Sequence, residues 1–180
     1  ICEGSTAIMA GSFEGAAASA TWSTSGTGTF NNNSGTAIYT PGAEDIAAGS
    51  VTLTYKTPDP AGVCVADSSS MVLVINPAAK VNAGIDQTIC SSGTATVTAA
   101  LSGSATGGTW KTNGSGTFDN NTSLTAIYTP SIADAANGSV QLRFETNDPA
   151  GICDIGTDFM VLTINRAPAI TTQPANVGVC

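Results

Sequence analysis

Five cysteines, thirteen acidic residues and two tryptophans are the side chains in this 180-residue sequence most able to do chemistry. The cysteines stand at Cys2, Cys64, Cys90, Cys153 and Cys180. None forms a CxxC pair and the sequence has no histidine, so a zinc site lacks most of its ligands. The missing histidine also removes the usual base of a nucleophilic triad, and no serine occupies a GxSxG elbow. No enzyme is expected. Cysteines that recur at matching places read as disulfides and imply an oxidising compartment, with buried free thiols as the alternative.

The carboxylates raise the question of calcium, which takes six to eight oxygens. Asp59 and Asp148 stand in TPDPAG and NDPAG, and Asp67, Asp154 and Asp158 follow closely. No DxDxDG loop is present, and Asp-Pro is ordinary turn chemistry, so turns are the preferred reading and no cofactor is expected. Asp45 and Asp134 read as turn or cap residues. Trp22 and Trp110 suit either sugar-stacking platforms or core packing, and their place inside strand patterns favours the core. Tyr39 and Tyr128, each in AIYTP, read the same way; a sugar site would use loop aromatics, for which Phe30 and Phe118 are the only partial candidates. Lys80 and Lys111 have no counterpart in the other half of the chain, which argues against an isopeptide cross-link. Sequons at Asn32, Asn113, Asn120, Asn121 and Asn137 are turn chemistry first.

Only 10% of the residues are charged, against about 25% in ordinary soluble domains. The net charge of −8 is spread along the chain without a basic cluster. Nucleic acid is excluded as a partner by the lack of a Lys/Arg footprint, and no apolar run approaches membrane-spanning length.

Self-comparison reveals one module twice. Ile1-Cys2 matches Ile89-Cys90, and Trp22 matches Trp110. GTGTFNNNSGTAIYTP matches GSGTFDNNTSLTAIYTP, TPDPAGVC matches NDPAGIC, and SMVLVIN matches FMVLTIN. Cys64 therefore corresponds to Cys153. The closing APAITTQPANVGVC resembles the segment before Cys90, so Cys180, Cys90 and Cys2 share one place. The expected organisation is 1–77 as a repeat lacking its first strand, 78–166 as a complete repeat, and 167–180 as the first strand of a following one.

Within each module the period is two. Val140, Leu142 and Phe144 alternate with polar residues, as do Val51, Leu53 and Tyr55; Ala7, Met9, Gly11 and Phe13 stand in the same every-other-residue spacing. That pattern buries one face of an antiparallel strand. Seven strands are expected in the complete module, near 80–84, 94–101, 108–112, 116–119, 124–129, 138–147 and 157–165. PGAEDIAAGS and PSIADAANGS allow one short helical turn. The fold class is all-β: tandem immunoglobulin-like antiparallel sandwiches.

KVNAGIDQTIC, GTW, GTF, AIYTP and DPAG followed by cysteine resemble the immunoglobulin-like or PKD-like repeats of large Bacteroidota surface and secreted proteins, gliding-motility adhesins among them. The resemblance implies an extracellular location and a structural or adhesive role in a stalk, fibre or adhesin. Its implied partners are neighbouring repeats, head-to-tail or bundled. A glycan-binding accessory module of a secreted enzyme is the alternative.

Two disulfide schemes compete. Pairing within modules gives Cys2–Cys64 and Cys90–Cys153. Strand parity opposes it: five alternating strands between Cys90 and Cys153 place them at opposite ends of a sandwich, roughly 20 Å apart. A disulfide needs Cα atoms within about 7 Å. The favoured scheme joins Cys2 to Cys153 across modules and leaves Cys64, Cys90 and Cys180 for modules outside this chain.

Overall fold

Alternating β-branched and hydroxylated runs form strands throughout the computed structural model, which describes residues 1–60, 62–63, 65–149, 151–170 and 172. Cys64, Cys180 and most of the expected strand at 167–180 lie outside the described residues. The first copy contains β1 (Ala7–Ile8), β2 (Thr21–Thr24), β3 (Thr29–Phe30), β4 (Ile38–Thr40), α1 (Ala43–Ala48), β5 (Ser50–Lys56) and β6 (Ser68–Val74). The second contains β7 (Ala79–Asn82), β8 (Gln87–Cys90), β9 (Ala95–Thr98), β10 (Ala100–Gly103), β11 (Gly108–Thr112), β12 (Thr117–Phe118), β13 (Thr125–Thr129), α2 (Ile132–Asn137), β14 (Ser139–Thr146) and β15 (Thr157–Asn165).

In the second copy one sheet runs β12-β13-β9 and the other β11-β14-β15-β8, with β7 paired to β10. Within those two sheets the pairings are antiparallel except β15 with β8, which is parallel. Val97, Ala126 and Tyr128 from one sheet meet Trp110, Leu142, Phe144, Met160, Leu162 and Ile164 from the other. The first copy repeats the plan with sheets β1-β4-β3 and β2-β5-β6. Its core joins Ala7, Met9 and Tyr39 to Val51, Leu53, Leu73 and Ile75. Burial of alternate residues therefore sets the register on both sides, because a one-residue slip would turn every apolar side chain to water.

The described chain divides into two compact units. One takes Ile1–Lys80, Ser102–Thr106 and Asn147–Gly156; the other takes Val81–Leu101, Gly107–Thr146 and the strand from Thr157 onward.

Both helical turns form where PGAEDIAAGS and PSIADAANGS stand. At α2, Ser131 Oγ accepts from Asp134 N at 3.0 Å while the Asp134 carboxylate accepts from Ser131 N at 2.9 Å, closing a capping box. At α1 glycine replaces that serine, so only the return bond from Gly42 N to Asp45 survives, at 2.9 Å. Each helix ends on a left-handed glycine, Gly49 or Gly138, whose N–H turns back to the last turn.

Two strand expectations need correction. The strand expected at 80–84 is β7, and an Asx turn, with Gly84 N donating to Asn82 Oδ1 at 2.8 Å, separates it from β8, which the seven expected strands did not include. The run at 94–101 likewise divides at Ala99, with β9 pairing β13 and β10 pairing β7. Alternation continues unbroken across Ala99, which is why the change of sheet left no mark in the sequence. Phe13 is a third departure. It extends the alternation of Ala7 and Met9 but is 42% exposed, and among the described residues no strand pairs with residues 12–15.

Candidate functional site

Each copy is organised around a buried carboxylate. Asp45 and Asp134 are both buried, six residues after Tyr39 and Tyr128. Tyr39 Oη donates to Asp45 Oδ2 at 2.6 Å, and Tyr128 Oη to Asp134 Oδ2 at 2.9 Å. Backbone N–H groups of Thr27, Gly28 and Gly42 complete the shell of Asp45; those of Ser115 and Ser131 serve Asp134. Burial pushes both carboxyls upward, but these donors outweigh it and hold them below the ordinary carboxylate range. The two phenols are pushed up, first by burial and also by the carboxylates they face.

Close approach explains the glycines of GTGT and GSGT. A Cβ at Gly114 would collide with the Asp134 carboxylate, and one at Gly116 with the Tyr128 hydroxyl and the Thr129 carbonyl. Gly26 and Gly28 meet the same obstacles in the first copy. The cap reading of Asp45 and Asp134 thus describes one part of a larger role, since each carboxylate pins a helix, a loop and a core tyrosine together. The repeated Tyr-to-Asp spacing beside GxG was the signal available for it.

Around each node stands an aromatic cluster. Trp110 stacks on Phe118 with centroids 6.0 Å apart and meets Phe144 edge-on at 5.2 Å. Trp22 stacks on Phe30 at 5.9 Å and leans on Tyr55 at 4.7 Å. Phe30 and Phe118 also touch Tyr39 and Tyr128, so they are packed rather than free platforms. Trp110, Tyr39 and Tyr128 lie in the core. Trp22 does not match Trp110 in this respect: it is only half-buried and borders an open cleft of about 300 Å³ with Tyr55, Ser69 and Met71. Among the described residues neither indole N–H has a hydrogen-bond partner, so packing rather than a polar contact positions the two rings.

Cys2 is bonded to Cys153, with Cα atoms 5.2 Å apart and 151 residues of separation. The bond joins the two sequence copies, and both residues belong to the first compact unit. Glu3, next to Cys2, bonds Lys80 Nζ at 2.6 Å and accepts the Ala78 N–H at 3.1 Å. The Lys80 contact leads in holding the Glu3 carboxyl below its usual range. Cys90 is free and exposed. It pairs with Asn165 at the far end of β15, whereas Cys153 precedes the start of that strand. Nine residues of strand extend roughly 26 Å, too far for a Cys90–Cys153 bond. Cys2 bridges to Asn76 in the same parallel sense, so the two cysteines are equivalent in structure as in sequence.

The remaining carboxylates serve turns and strands. Asp158 accepts the Ala83 N–H and Asp86 the Val161 N–H, each at 2.8 Å, fastening the bend between β7 and β8 to β15. Asp67 accepts the Ser68 N–H. Among the described residues no three acidic, histidine or cysteine side chains converge as a metal site. Lys111 is paired with Glu145 and Lys80 with Glu3. Asn32 and Asn120 close Asx turns onto Ser34 and Thr122.

On its strand pairing the chain is an all-β protein of tandem immunoglobulin-like antiparallel sandwiches. No protein-family model matches it, and no curated protein matches it in sequence. Several solved structures are similar. Mouse cadherin-23 EC22-24 shares 12% identity over 93% of this chain and 62% of its own, with a TM-score of 0.42. The protocadherin gammaB4 extracellular domain shares 14% over 82% of this chain and 27% of its own, at 0.35. Mouse protocadherin-24 EC1-3 shares 8% over 81% and 58%, at 0.39. The chain spans less than two thirds of each, and likeness at this level carries no inference about activity.

Proposed function

We propose that this chain is a structural or adhesive repeat segment of an extracellular stalk, fibre or cell-surface adhesin, of the type its sequence resembles in Bacteroidota surface proteins. The Cys2–Cys153 bond is the observation that supports it most, because a covalent link between successive copies suits a load-bearing array in an oxidising compartment. Neighbouring repeats are its partners, and Cys64, Cys90 and Cys180 form equivalent links to them. No cofactor, nucleic acid, inserted membrane segment or catalytic step belongs to this reading. Protease treatment of intact source cells, followed with an antibody against this segment, tests it. Loss of the segment from intact cells is expected; protection until the cells are lysed would sink it.

A glycan-binding role is the second reading, favoured by the partly open rings of Phe13, Trp22 and Tyr55. It requires a glycan-array signal that Phe13→Ala abolishes and Trp110→Phe leaves in place.

A further inference from the structure

At four matched positions around one place the first copy is more exposed than the second. Trp110 and Met160 are each 1% exposed, Phe144 is buried and Leu101 is half-buried. Their counterparts are the half-buried Trp22, Met71 at 43%, the half-buried Tyr55, and Phe13 at 42%. Strand registers confirm the match, since Phe144 lies opposite Asp158 in β14–β15 and Tyr55 lies opposite Ser69 in β5–β6.

In the second copy β7 occupies this place. It pairs with β10, buries Ala79 and Ala83, and donates the Ala83 N–H to Asp158. Ser104 N donates to Ala78 O at 3.1 Å just before it. The corresponding place in the first copy is a groove. Its clefts of about 360 and 300 Å³ share Tyr55, Ser12 and Ser69, with Phe13 on one side and Trp22 and Met71 on the other.

We propose that this groove binds a β-strand in the manner of β7, and that its occupant is the segment 167–172 of a second copy of this chain. That segment, Ala-Pro-Ala-Ile-Thr-Thr, aligns with residues 77–82 when Cys180 is set on Cys90, which places Ala169 on the buried Ala79. Ile170 is 88% exposed. Strand addition would satisfy the backbone of residues 12–15, cover Phe13 and Trp22, and join copies head-to-tail. The inference rests on the repeat equivalence and not on the extracellular reading, so either can fail without the other.

The test uses the 180-residue chain carrying Cys64→Ser, Cys90→Ser and Cys180→Ser, which removes thiol-linked association and keeps Cys2–Cys153. Sedimentation velocity should show concentration-dependent association that is lost when residues 167–180 are deleted. A peptide of residues 166–180, also with serine at 180, added to the shortened, 5-fluorotryptophan-labelled chain should move the Trp22 fluorine signal and leave that of Trp110 in place. Ser69→Asp supplies the acceptor that Asp158 provides in the second copy and should tighten peptide binding several-fold; Phe13→Glu should weaken it several-fold. Unchanged association after deletion would overturn the proposal. So would a silent Trp22 signal in the folded, labelled chain, or equal movement of both tryptophans.

Discussion

Asp134 shows how much one residue carries in this fold: its carboxylate caps the start of a helix, satisfies the loop at Ser115 and holds the hydroxyl of Tyr128. Tyr128→Phe should cost about 1–2 kcal/mol, and Asp134→Asn about 2–3 kcal/mol, in chemical denaturation, since hydrogen bonds to charged groups are the stronger ones. The direction of the pH effect follows from the lowered carboxyls. A group depressed in the folded state adds stability above its unfolded value, about 4, and that stability is lost as pH falls through the folded value. The raised tyrosines act oppositely, with stability present below about pH 10 and lost as pH rises through their folded values. Acid titrations of unfolding free energy should therefore be shallower for Asp134→Asn than for the parent; an identical acid limb would contradict the role given to this carboxylate. The sequence announced Asp45 and Asp134 only as turn or cap residues, because such signals are local while the tyrosine contact depends on tertiary packing.

Periodicity was a sound guide wherever a strand keeps to one sheet, as β14 and β15 do, with Val140, Leu142, Phe144, Met160, Leu162 and Ile164 all buried. It gave no warning at Ala99, where the chain changes sheets without breaking the alternation. Nor did it separate Trp22 from Trp110: their local sequences are alike, and the difference lies in whether a strand such as β7 lies over them. Trp110→Ala should cost about 3–5 kcal/mol, the range for a buried large aromatic, and Trp22→Ala distinctly less. Equal losses in urea unfolding would contradict the difference in burial. Asp158 was legible as a turn residue and Asp86 was not singled out, since their fastening of the β7–β8 bend to β15 involves partners some 75 positions away. With Asp86 and Asp158 occupied by backbone N–H groups, neither calcium nor a chelator should move the melting temperature. A rise on adding calcium that chelation reverses would reopen the metal reading.

For the whole molecule, the parity that separates Cys90 from Cys153 was legible in the sequence, although the stretch before Cys90 holds two strands. The parallel pairing of β8 with β15 gives that separation its direct geometric cause. Closing a loop of 151 residues restricts the unfolded chain strongly, and Cys2→Ser should lower stability by about 2–5 kcal/mol. Under force applied at the chain ends, the intact bond should withhold about 50 nm of extension that a reducing agent releases, at about 3.5 Å per residue. The most direct test of the cross-repeat account is peptide mapping of the native protein under non-reducing conditions. A linked peptide pair containing Cys2 and Cys153 is the expected result, and a Cys90–Cys153 or Cys2–Cys64 pair would contradict it.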